Sequence, residues 1–339
     1  MRIAFFSAHG FERDAFNTAN AQFNHVLHYL EARLTEETAA LASGCDAVCA
    51  FVSDRLSAPV LERLHAGGVR LVLLRSAGFD NVDLATAERL GLPVLRVPAY
   101  SPYAVAEHAF ALLLGLIRKI PQARARVREA NFLLDGLVGF DLHGKTFGIV
   151  GTGRIGLAAA RIARGFGCRV LAYDQVTDEA LAREFGFTWA PLDTLWAESD
   201  VVSLHVPATT ATHHLVDARA LGLMKRSAIL VNTSRGALVD TAALVTALRQ
   251  GRIKGAALDV YEGEAAYFFT DKSGAVLPDE LLMWLTNMPN VLITAHQGFL
   301  TDEALSNIAV ATLSNATEFA TGAKLTNAVT SGAPRPPRT

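Results

Sequence analysis

The chain has 339 residues, 51% hydrophobic and 19% charged, a composition that excludes a mainly disordered or collagen-like protein. At roughly 150 residues per domain, this length predicts about two domains. The formal net charge is only -2, from 31 basic and 33 acidic residues, so no large electrostatic excess exists to hold nucleic acid or an anionic membrane. The partners we expect are small molecules or other protein subunits.

Cysteine content and apolar runs indicate the compartment. The three cysteines are Cys45, Cys49 and Cys168. They cannot all pair within one chain, and their spacing suggests neither a disulfide framework nor a zinc site. The apolar run at residues 3–6 is too short for a signal peptide, and the longest apolar stretch, residues 103–117, is too short to span a bilayer. We therefore expect a cytoplasmic protein in a reducing environment, with no membrane segment.

In the first hundred residues, short β-rich runs alternate with helical patterns. The strands are predicted at residues 2–6, 47–52 and 71–74, and the helices at 36–42 and 59–65. This alternation is typical of a parallel sheet covered by helices.

The second half repeats the alternation, after an apolar helical spacing over residues 103–117. Its strands are predicted at residues 146–150, 169–173, 201–205, 228–232, 256–260 and 291–294. These are near-continuous apolar runs, as buried parallel strands require. A long helix is predicted at 302–319, and the proline-rich tail, residues 332–339, should be loose.

A glycine-rich turn follows the strand at 146–150. Gly151, Gly153 and Gly156 form G-x-G-x-x-G between this strand and a helix. Gly151 permits the tight turn, Gly153 allows the backbone to approach a pyrophosphate, and Gly156 allows the helix to pack on the strand. A strand–helix corner without ligand is the alternative for such a motif alone.

Asp174 ends the next strand, roughly 20 residues downstream, where a carboxylate can bind the adenosine ribose hydroxyls. It would repel a 2′-phosphate, so NAD is favoured over NADP. An aspartate in this position can also be a simple helix cap. Strand, turn, helix, strand and acid together predict dinucleotide binding.

Three polar residues follow the ends of successive apolar strands. They are Arg235, Glu264 and His296. Because open α/β sheets place ligands at the carboxyl edge of their strands, we expect all three at one site. A guanidinium can hold a carboxylate through two parallel hydrogen bonds, an imidazole can give or take a proton near neutral pH, and a neighbouring carboxylate stabilises the imidazolium. This set suits reduction of a 2-keto acid by a nicotinamide.

The glycine turn, the stretches 232–238 and 259–264, and His296 resemble the D-isomer-specific 2-hydroxyacid dehydrogenases, and the resemblance covers almost the whole chain. Further segments resemble its subgroup of fermentative D-lactate dehydrogenases. They are residues 47–52, 77–84, 96–102, 139–140, 267–273 and 295–301. The family's usual proline before the histidine is replaced by Ala295, a small residue that this subgroup tolerates.

The fold class we predict is α/β, with two doubly wound parallel-sheet domains. A Rossmann cofactor domain, residues 100–298, is inserted into a flavodoxin-like substrate domain formed by residues 1–99 and 299–331. The resemblance implies NAD-dependent, reversible reduction of pyruvate to D-lactate, and a homodimer or homotetramer. An apolar helix at 103–117, with Phe132, Leu133 and Leu134 after it, also suggests a subunit interface.

The resemblance also implies site residues. Arg235 binds the substrate, His296 is the acid/base and Glu264 is its partner, whereas Glu262 is a solvated neighbour. Backbone amides near Ala77 and Gly78 hold the substrate carboxylate, and Tyr100 and Phe299 line the pocket, although either aromatic could be plain core. Besides the three glycines and Asp174, the dinucleotide contacts are expected at Arg154, Ile155, Val206, Pro207, Thr233, Ser234, Arg235 and Asp259, with His205 a further contact at the nicotinamide ribose.

The other histidines have simpler interpretations. His213 and His214 resemble a solvated surface pair, and because the sequence places no cysteine or acid beside them, no metal is predicted. His108 is expected in domain packing or a subunit contact.

Two alternatives to pyruvate reduction remain open from the residues. One is a dehydrogenase for another D-2-hydroxy acid, such as 2-hydroxyisocaproate, or a glyoxylate or hydroxypyruvate reductase. The other is a non-catalytic NAD(H)-sensing protein like the corepressors that share this fold.

Overall fold

A computed structural model describes residues 1–331, which form two compact units. The first contains Met1–Ser101 and the described residues from Phe299 onward, and the second contains Pro102–Gly298. Each unit is organised around one sheet.

The secondary structure alternates between strands and helices throughout. The strands are β1 (Arg2–Phe5), β2 (Val26–Tyr29), β3 (Ala47–Ala50), β4 (Leu71–Leu74), β5 (Val94–Leu95), β6 (Thr146–Val150), β7 (Arg169–Tyr173), β8 (Thr188–Trp189), β9 (Val201–Leu204), β10 (Ile229–Asn232), β11 (Gly255–Leu258), β12 (Val291–Ile293) and β13 (Ala328–Val329). The α-helices are α1 (Gly10–Asn20), α2 (Ala58–Ala66), α3 (Leu84–Arg89), α4 (Pro102–Ile117), α5 (Ile120–Arg128), α6 (Arg154–Gly165), α7 (Glu179–Phe185), α8 (Leu192–Glu198), α9 (Ala218–Leu223), α10 (Thr241–Arg249), α11 (Glu280–Asn287) and α12 (Asp302–Ala320). Short 3₁₀ turns lie at Thr38–Ala42, Gly236–Leu238 and Glu264–Ala266.

The first unit has the strand order β2-β1-β3-β4-β5-β13. All neighbouring pairs are parallel except β13, which pairs with β5 antiparallel. Strands β3 and β4 are buried along their whole length, and separate apolar clusters cover the two faces of the sheet. This order is that of a flavodoxin-like doubly wound sheet with one added edge strand.

The second unit has the strand order β8-β7-β6-β9-β10-β11-β12, and every pair is parallel. Its order reverses between β6 and β9, as in a Rossmann sheet, so a ligand crevice is expected at their carboxyl ends. Apolar clusters again cover both faces. The prediction of two doubly wound parallel-sheet domains is confirmed.

Side-chain caps begin many of the helices. Caps of this kind accept a backbone N–H of the first turn and stabilise a helix by about 1 kcal/mol each. They are Asp83, Asp178, Asp217, Asp240, Asp279 and Thr301.

Helix α4 is covered by its own unit. Nine of its 16 residues are buried, and several of them pack with β6 and α6 side chains in one core cluster. Much of its apolar circumference is therefore explained by packing within the chain, and the subunit interface along this helix stays a prediction. The apolar side chains that remain outside lie after α5, where Phe132, Leu133 and Leu134 are each at least 65% exposed.

Several short elements were not predicted. Strands β5, β8 and β13 have two residues each, too few to produce a period, and β2 is partly exposed. The helix expected at 36–42 is a 3₁₀ turn. Along residues 1–331, the helices lack the combined length and apolar character needed to cross a membrane, and the tail at 332–339 lies outside the described residues.

Candidate active site

His296 and Glu264 form a close pair at the carboxyl edge of the second unit's sheet. His296 follows β12, and Glu264 begins the 3₁₀ turn after β11, the neighbouring strand. His296 Nδ1 lies 2.7 Å from Glu264 Oε1, and the side chains are 15% and 22% exposed. The other Glu264 oxygen accepts the Tyr261 N–H at 3.0 Å. The carboxylate is thus fixed against the imidazole, in a position that a small molecule could still reach.

Arg235 follows β10, the next strand along the same edge. Its Nη1 donates to the Ser234 carbonyl at 2.8 Å. The next residue, Gly236, packs against the Tyr261 backbone so closely that a Cβ there would overlap it. The Arg235 segment therefore lies directly against the segment that carries Glu264.

Asp259 holds the turn on which His296 stands. Its carboxylate accepts the amides of Gln297 at 2.9 Å and Gly298 at 2.8 Å, and the Thr294 hydroxyl at 2.6 Å. Its carbonyl accepts the His296 N–H at 2.6 Å. His296 has a φ of 54°, in the left-handed region, a conformation that non-glycine residues adopt only when the surroundings impose it.

His108, on α4, joins this arrangement. Its Nε2 lies 3.2 Å from Asp259 Oδ1 and 3.1 Å from Thr294 Oγ1. Burial opposes ionisation of Asp259, but the hydrogen bonds from His108, Thr294 and the Gln297 amide outweigh it and lower the pKa of Asp259. Asp259 stays a predicted dinucleotide contact and His108 a predicted packing residue, and the structure places both beside the turn that carries His296.

The glycine turn has the geometry of an anion cradle. Gly151 has a φ of +101°, and a Cβ there would lie 2.6 Å from the His205 carbonyl. A Cβ at Gly156 would overlap the Gly151 carbonyl. Gly153, the N-cap of α6, differs, because a Cβ there would meet nothing within 4 Å among the described residues. Two glycines are thus required by the fold, and the space at the third suits a phosphate at the helix N-terminus.

This difference predicts the effects of two alanine substitutions. Gly153→Ala should leave the free energy of unfolding within about 1 kcal/mol of wild type. It should weaken NADH binding by about tenfold or more, because obstructing one charge-assisted hydrogen bond costs about 1.5–3 kcal/mol. Gly156→Ala should destabilise the fold by about 1–3 kcal/mol through overlap. Urea unfolding and NADH fluorescence titration measure the two effects, and equal NADH affinity in Gly153→Ala and wild type would remove Gly153 from the cofactor site.

Asp174 lies just past β7, beside the glycine turn. Its Oδ2 accepts both the N–H and the hydroxyl of Thr152 at 2.9 Å, and its Oδ1 accepts the Gln175 amide at 2.8 Å. These bonds fix the carboxylate at the edge where the adenosine ribose of a bound dinucleotide would lie. Thr152, which the motif analysis did not single out, orients it.

The loops after β9 and β10 complete the cofactor edge. The Ser234 hydroxyl donates to the Val206 carbonyl at 2.6 Å, which joins the two loops. Thr233 Oγ1 is buried and has no hydrogen-bond partner among the described residues, as expected of a group that binds a ligand. Among the remaining predicted contacts, Ile155 and Pro207 are partly or fully exposed on the same segments, and Arg154 is exposed in the first turn of α6.

His205 is neutral near physiological pH. Burial lowers its pKa from 6.5 to about 4, and its Nε2 lies 2.9 Å from the Ser203 hydroxyl. Because the folded-state pKa lies below the unfolded value, this group does not affect stability above pH 6.5 and destabilises the fold progressively as the pH falls toward 4.

The His205→Gln variant should therefore lose less stability in acid than the wild type. We expect its free energy of unfolding to fall by about 2–3 kcal/mol less between pH 7 and 4.5. Urea unfolding at several pH values measures this difference. Parallel stability curves for the two proteins would contradict the lowered pKa of His205.

The substrate residues predicted in the first unit lie in two places. Ala77 and Gly78 follow the carboxyl end of β4. Tyr100 lies near the end of the unit's first chain segment, and Phe299 begins its second segment. The Ala77 carbonyl accepts from Arg96 Nη1 at 2.8 Å, and the Gly78 carbonyl accepts from the Ser76 hydroxyl at 2.8 Å. The rings of Tyr100 and Phe299 are in edge contact, with centroids 6.4 Å apart.

Phe299 also contacts two aromatic rings that the sequence analysis did not identify. Its ring centroid lies 6.2 Å from that of Phe11 and 6.4 Å from that of Phe51. Nearby, the fully buried Arg75 binds Glu12 at 2.8 Å and stacks over Phe51 at 4.8 Å. A buried ion pair thus anchors one side of this aromatic group.

Glu262 is not simply solvated. Its Oε1 lies 2.6 Å from His214 Nε2, and its Oε2 accepts the Thr241 hydroxyl at 3.0 Å. Burial opposes its ionisation, but these hydrogen bonds outweigh burial and lower the pKa of Glu262. The sequence placed no acid beside His213 and His214, whereas folding brings one to them.

Comparison with known proteins identifies the family. The family model described as "D-isomer specific 2-hydroxyacid dehydrogenase, NAD binding domain" matches residues 110–298. The chain is 51% identical to D-lactate dehydrogenase kk1H of Curvularia clavata over 306 residues, which cover 90% of this chain and 87% of the relative.

Solved structures match over nearly the full length. The apo-structure of D-lactate dehydrogenase from Escherichia coli has a TM-score of 0.88 at 44% identity, covering 97% of this chain and 100% of that one. The NAD-complexed D-isomer specific 2-hydroxyacid dehydrogenase from Lactobacillus delbrueckii ssp. bulgaricus has a TM-score of 0.79 at 32% identity, with the same coverage. The predictions of family, enzyme class and NAD as cofactor are confirmed. The chain belongs to the D-isomer specific 2-hydroxyacid dehydrogenase family and is an NAD-dependent dehydrogenase.

Proposed function

We propose that this dehydrogenase reduces pyruvate to D-lactate, reversibly, with His296 as the acid/base. The observation that carries the proposal is the 2.7 Å contact between His296 and Glu264 on a turn fixed by Asp259. Because Glu264 occupies Nδ1, the proton exchanged with substrate would pass through Nε2.

The residues have complementary tasks in this proposal. Bound NADH supplies the hydride that becomes the new C–H bond at the keto carbon. Arg235 binds the substrate carboxylate and polarises the carbonyl. The His296 imidazolium donates its proton to the carbonyl oxygen, and the Glu264 carboxylate stabilises that imidazolium beforehand. The fixed Nδ1 contact orients the ring, so that the proton is presented in one direction.

The preference for pyruvate rests on the aromatic group of the first unit, which we propose as part of the substrate domain. We propose that Tyr100 and Phe299, supported by Phe11 and Phe51, restrict the substrate side chain to about the size of a methyl group. The amides near Ala77 and Gly78 would hold the substrate carboxylate. One added methylene in an apolar pocket changes specificity by about 10- to 200-fold, so the choice of 2-keto acid depends on these rings.

A substrate panel tests this preference directly. NADH oxidation should be fastest, judged by kcat/KM, with pyruvate among pyruvate, 2-ketoisocaproate, glyoxylate and hydroxypyruvate. A higher kcat/KM with any of the other three acids would identify that acid, rather than pyruvate, as the preferred substrate. The enzyme class would be unchanged.

The charge of Glu264 should control the pH dependence of the reaction. Glu264→Gln preserves size and hydrogen bonding but removes the anion that stabilises the imidazolium. We expect the alkaline limit of pyruvate reduction to move to lower pH. The pH profile of kcat/KM measures this change.

Glu262→Gln is the matched control, since it removes the same charge two residues away. Its profile should keep the wild-type alkaline limit. If Glu264→Gln also kept that limit, the proposed coupling of the two side chains would be wrong.

We further propose a cytoplasmic homodimer or homotetramer. The exposed apolar side chains of Phe132, Leu133 and Leu134 supply the surface for subunit contact. Sedimentation velocity over a range of concentrations distinguishes these states from a monomer.

A further inference from the structure

Three side chains with metal-ligating atoms converge outside the His296–Glu264 pair. They are His213, His214 and Glu262, and one ligand atom from each lies within 4.8 Å of the other two. The two imidazole rings stack with centroids 3.9 Å apart, and His214 Nε2 lies 2.6 Å from Glu262 Oε1. Glu262 is 48 residues from His214 in the chain, so only folding creates this group.

We infer that His213, His214 and Glu262 form a binding site for Zn²⁺. Two imidazole nitrogens and one carboxylate oxygen are a donor set that Zn²⁺ accepts, with a fourth position left for water. The hard cation Mg²⁺ prefers oxygen ligands, so this set discriminates against it.

The side chains have the freedom to close around an ion. Zn–N and Zn–O bonds of about 2.0–2.2 Å place ligand atoms roughly 3.4 Å apart in a tetrahedron. His214 Nε2 and Glu262 Oε1, which lie 2.6 Å apart, must therefore separate slightly. Ligand atoms that lie up to 4.8 Å apart must approach each other. His213 is exposed, and the side chains of His214 and Glu262 are 33% and 34% exposed, so these adjustments require only rotation of accessible side chains.

The backbone that carries the two histidines is already ordered. The buried Thr212 hydroxyl donates to the Pro207 carbonyl at 2.7 Å. The His214 N–H donates to the Ala237 carbonyl at 2.9 Å. His214 has a φ of 50°, in the left-handed region, which histidine enters more often than most non-glycine residues. Zn²⁺ would replace the hydrogen bond between His214 and Glu262 and would leave the backbone bonds intact.

Bound Zn²⁺ would join two segments that flank the candidate active site. The histidines belong to the loop that continues from Val206 and Pro207, and Glu262 lies two residues before Glu264. The ion would cross-link these segments and raise the unfolding temperature without touching the Nδ1 contact of His296.

The test is binding of zinc chloride to the full chain after removal of any affinity tag. Calorimetry, and metal analysis after dialysis, should give one Zn²⁺ per chain, with Mg²⁺ in excess unable to displace it. Loss of an outer-shell partner alone lowers metal affinity by about 10- to 100-fold. His213→Ala and Glu262→Gln, which each remove a direct ligand, should therefore weaken binding at least tenfold and abolish the zinc-dependent rise in unfolding temperature.

His65→Ala is the matched control, because His65 is an exposed histidine at the end of α2. It should bind Zn²⁺ like the wild type, and unfolding scans without zinc verify that each variant is folded. Wild-type affinity in His213→Ala would overturn the assignment. So would binding that is lost in His296→Ala but kept in His213→Ala, since the ion would then occupy the catalytic pair.

Discussion

Replacement of His296 by alanine is expected to lower the rate of pyruvate reduction by about 10²- to 10⁴-fold. The imidazole is the group at this edge that Glu264 orients at 2.7 Å, and alanine can neither donate nor accept the proton. NADH binding should change little, because the predicted cofactor contacts other than Asp259 lie on the glycine turn and the loops after β7, β9 and β10, and Asp259 holds the turn through backbone amides. Stopped-flow measurement of NADH oxidation gives the rate, and fluorescence titration gives the NADH affinity.

A second variant separates chemistry from folding. His296 has a φ of 54°, which alanine adopts at some cost, whereas asparagine tolerates this region better. His296→Asn should therefore keep the turn and still show the loss of rate. His65→Ala serves as the control for a histidine outside the site. A His296→Asn enzyme that turned over at the wild-type rate would remove His296 from the acid/base role.

The polar residues at strand ends were predictable because of a simple property of parallel sheets. Strands β10, β11 and β12 are near-continuous apolar runs, and the residues that follow neighbouring strands share one edge. Arg235, Glu264 and His296 could therefore be grouped before any distance was known. The glycine turn could also be predicted from the sequence. Its glycine spacing and its position between a strand and a helix follow from steric requirements.

The contacts that hold these residues in place could not be predicted from the sequence in the same way. The contact of His108 with Asp259 joins α4 to the turn before Gly298, and it depends on how a helix packs on the sheet. Apolar periodicity predicts that α4 is a helix but does not say which of its polar side chains meets a buried carboxylate. A single sequence does not distinguish a polar side chain on the exposed face of a helix from one that points inward.

The left-handed backbone conformations near the site could not be predicted from the sequence either. His296 and His214 adopt left-handed conformations, and residue type gave no clear signal, because histidine enters this region more often than most non-glycine residues but is usually found outside it. Glu262 illustrates the same limit, because its partners His214 and Thr241 lie far from it in the chain. Such pairings are decided by the order of strands in the sheet, which brings distant loops to one edge.

Replacement of Arg235 by lysine should raise the KM for pyruvate by about 10- to 10²-fold, because loss of one charge-assisted hydrogen bond costs about 1.5–3 kcal/mol. Lysine keeps the positive charge but lacks the planar fork that binds a carboxylate through two parallel bonds. The segment that positions Arg235 is held by bonds of the Asn232 side chain as well as by the guanidinium's own bond to the Ser234 carbonyl. Asn232 Nδ2 donates to the Arg235 carbonyl at 2.8 Å, and Asn232 Oδ1 accepts the Ser234 N–H at 3.0 Å. The Asn232 bonds remain after the substitution, so the segment should keep its conformation when the guanidinium's contacts are lost.

Control measurements distinguish loss of the bidentate contact between Arg235 and the substrate carboxylate from a general loss of structure. Arg226→Lys, at an exposed position before β10, makes the same chemical change outside the site and should leave KM unaltered. The unfolding temperature should match the wild type in both variants, and Arg226→Lys should also keep the wild-type NADH affinity. Arg235→Ala, which loses the charge as well, should bind pyruvate more weakly than Arg235→Lys. If Arg235→Lys saturated with pyruvate at the wild-type concentration, the carboxylate would have to be bound by other groups, and the backbone amides near Ala77 and Gly78 would be the next to test.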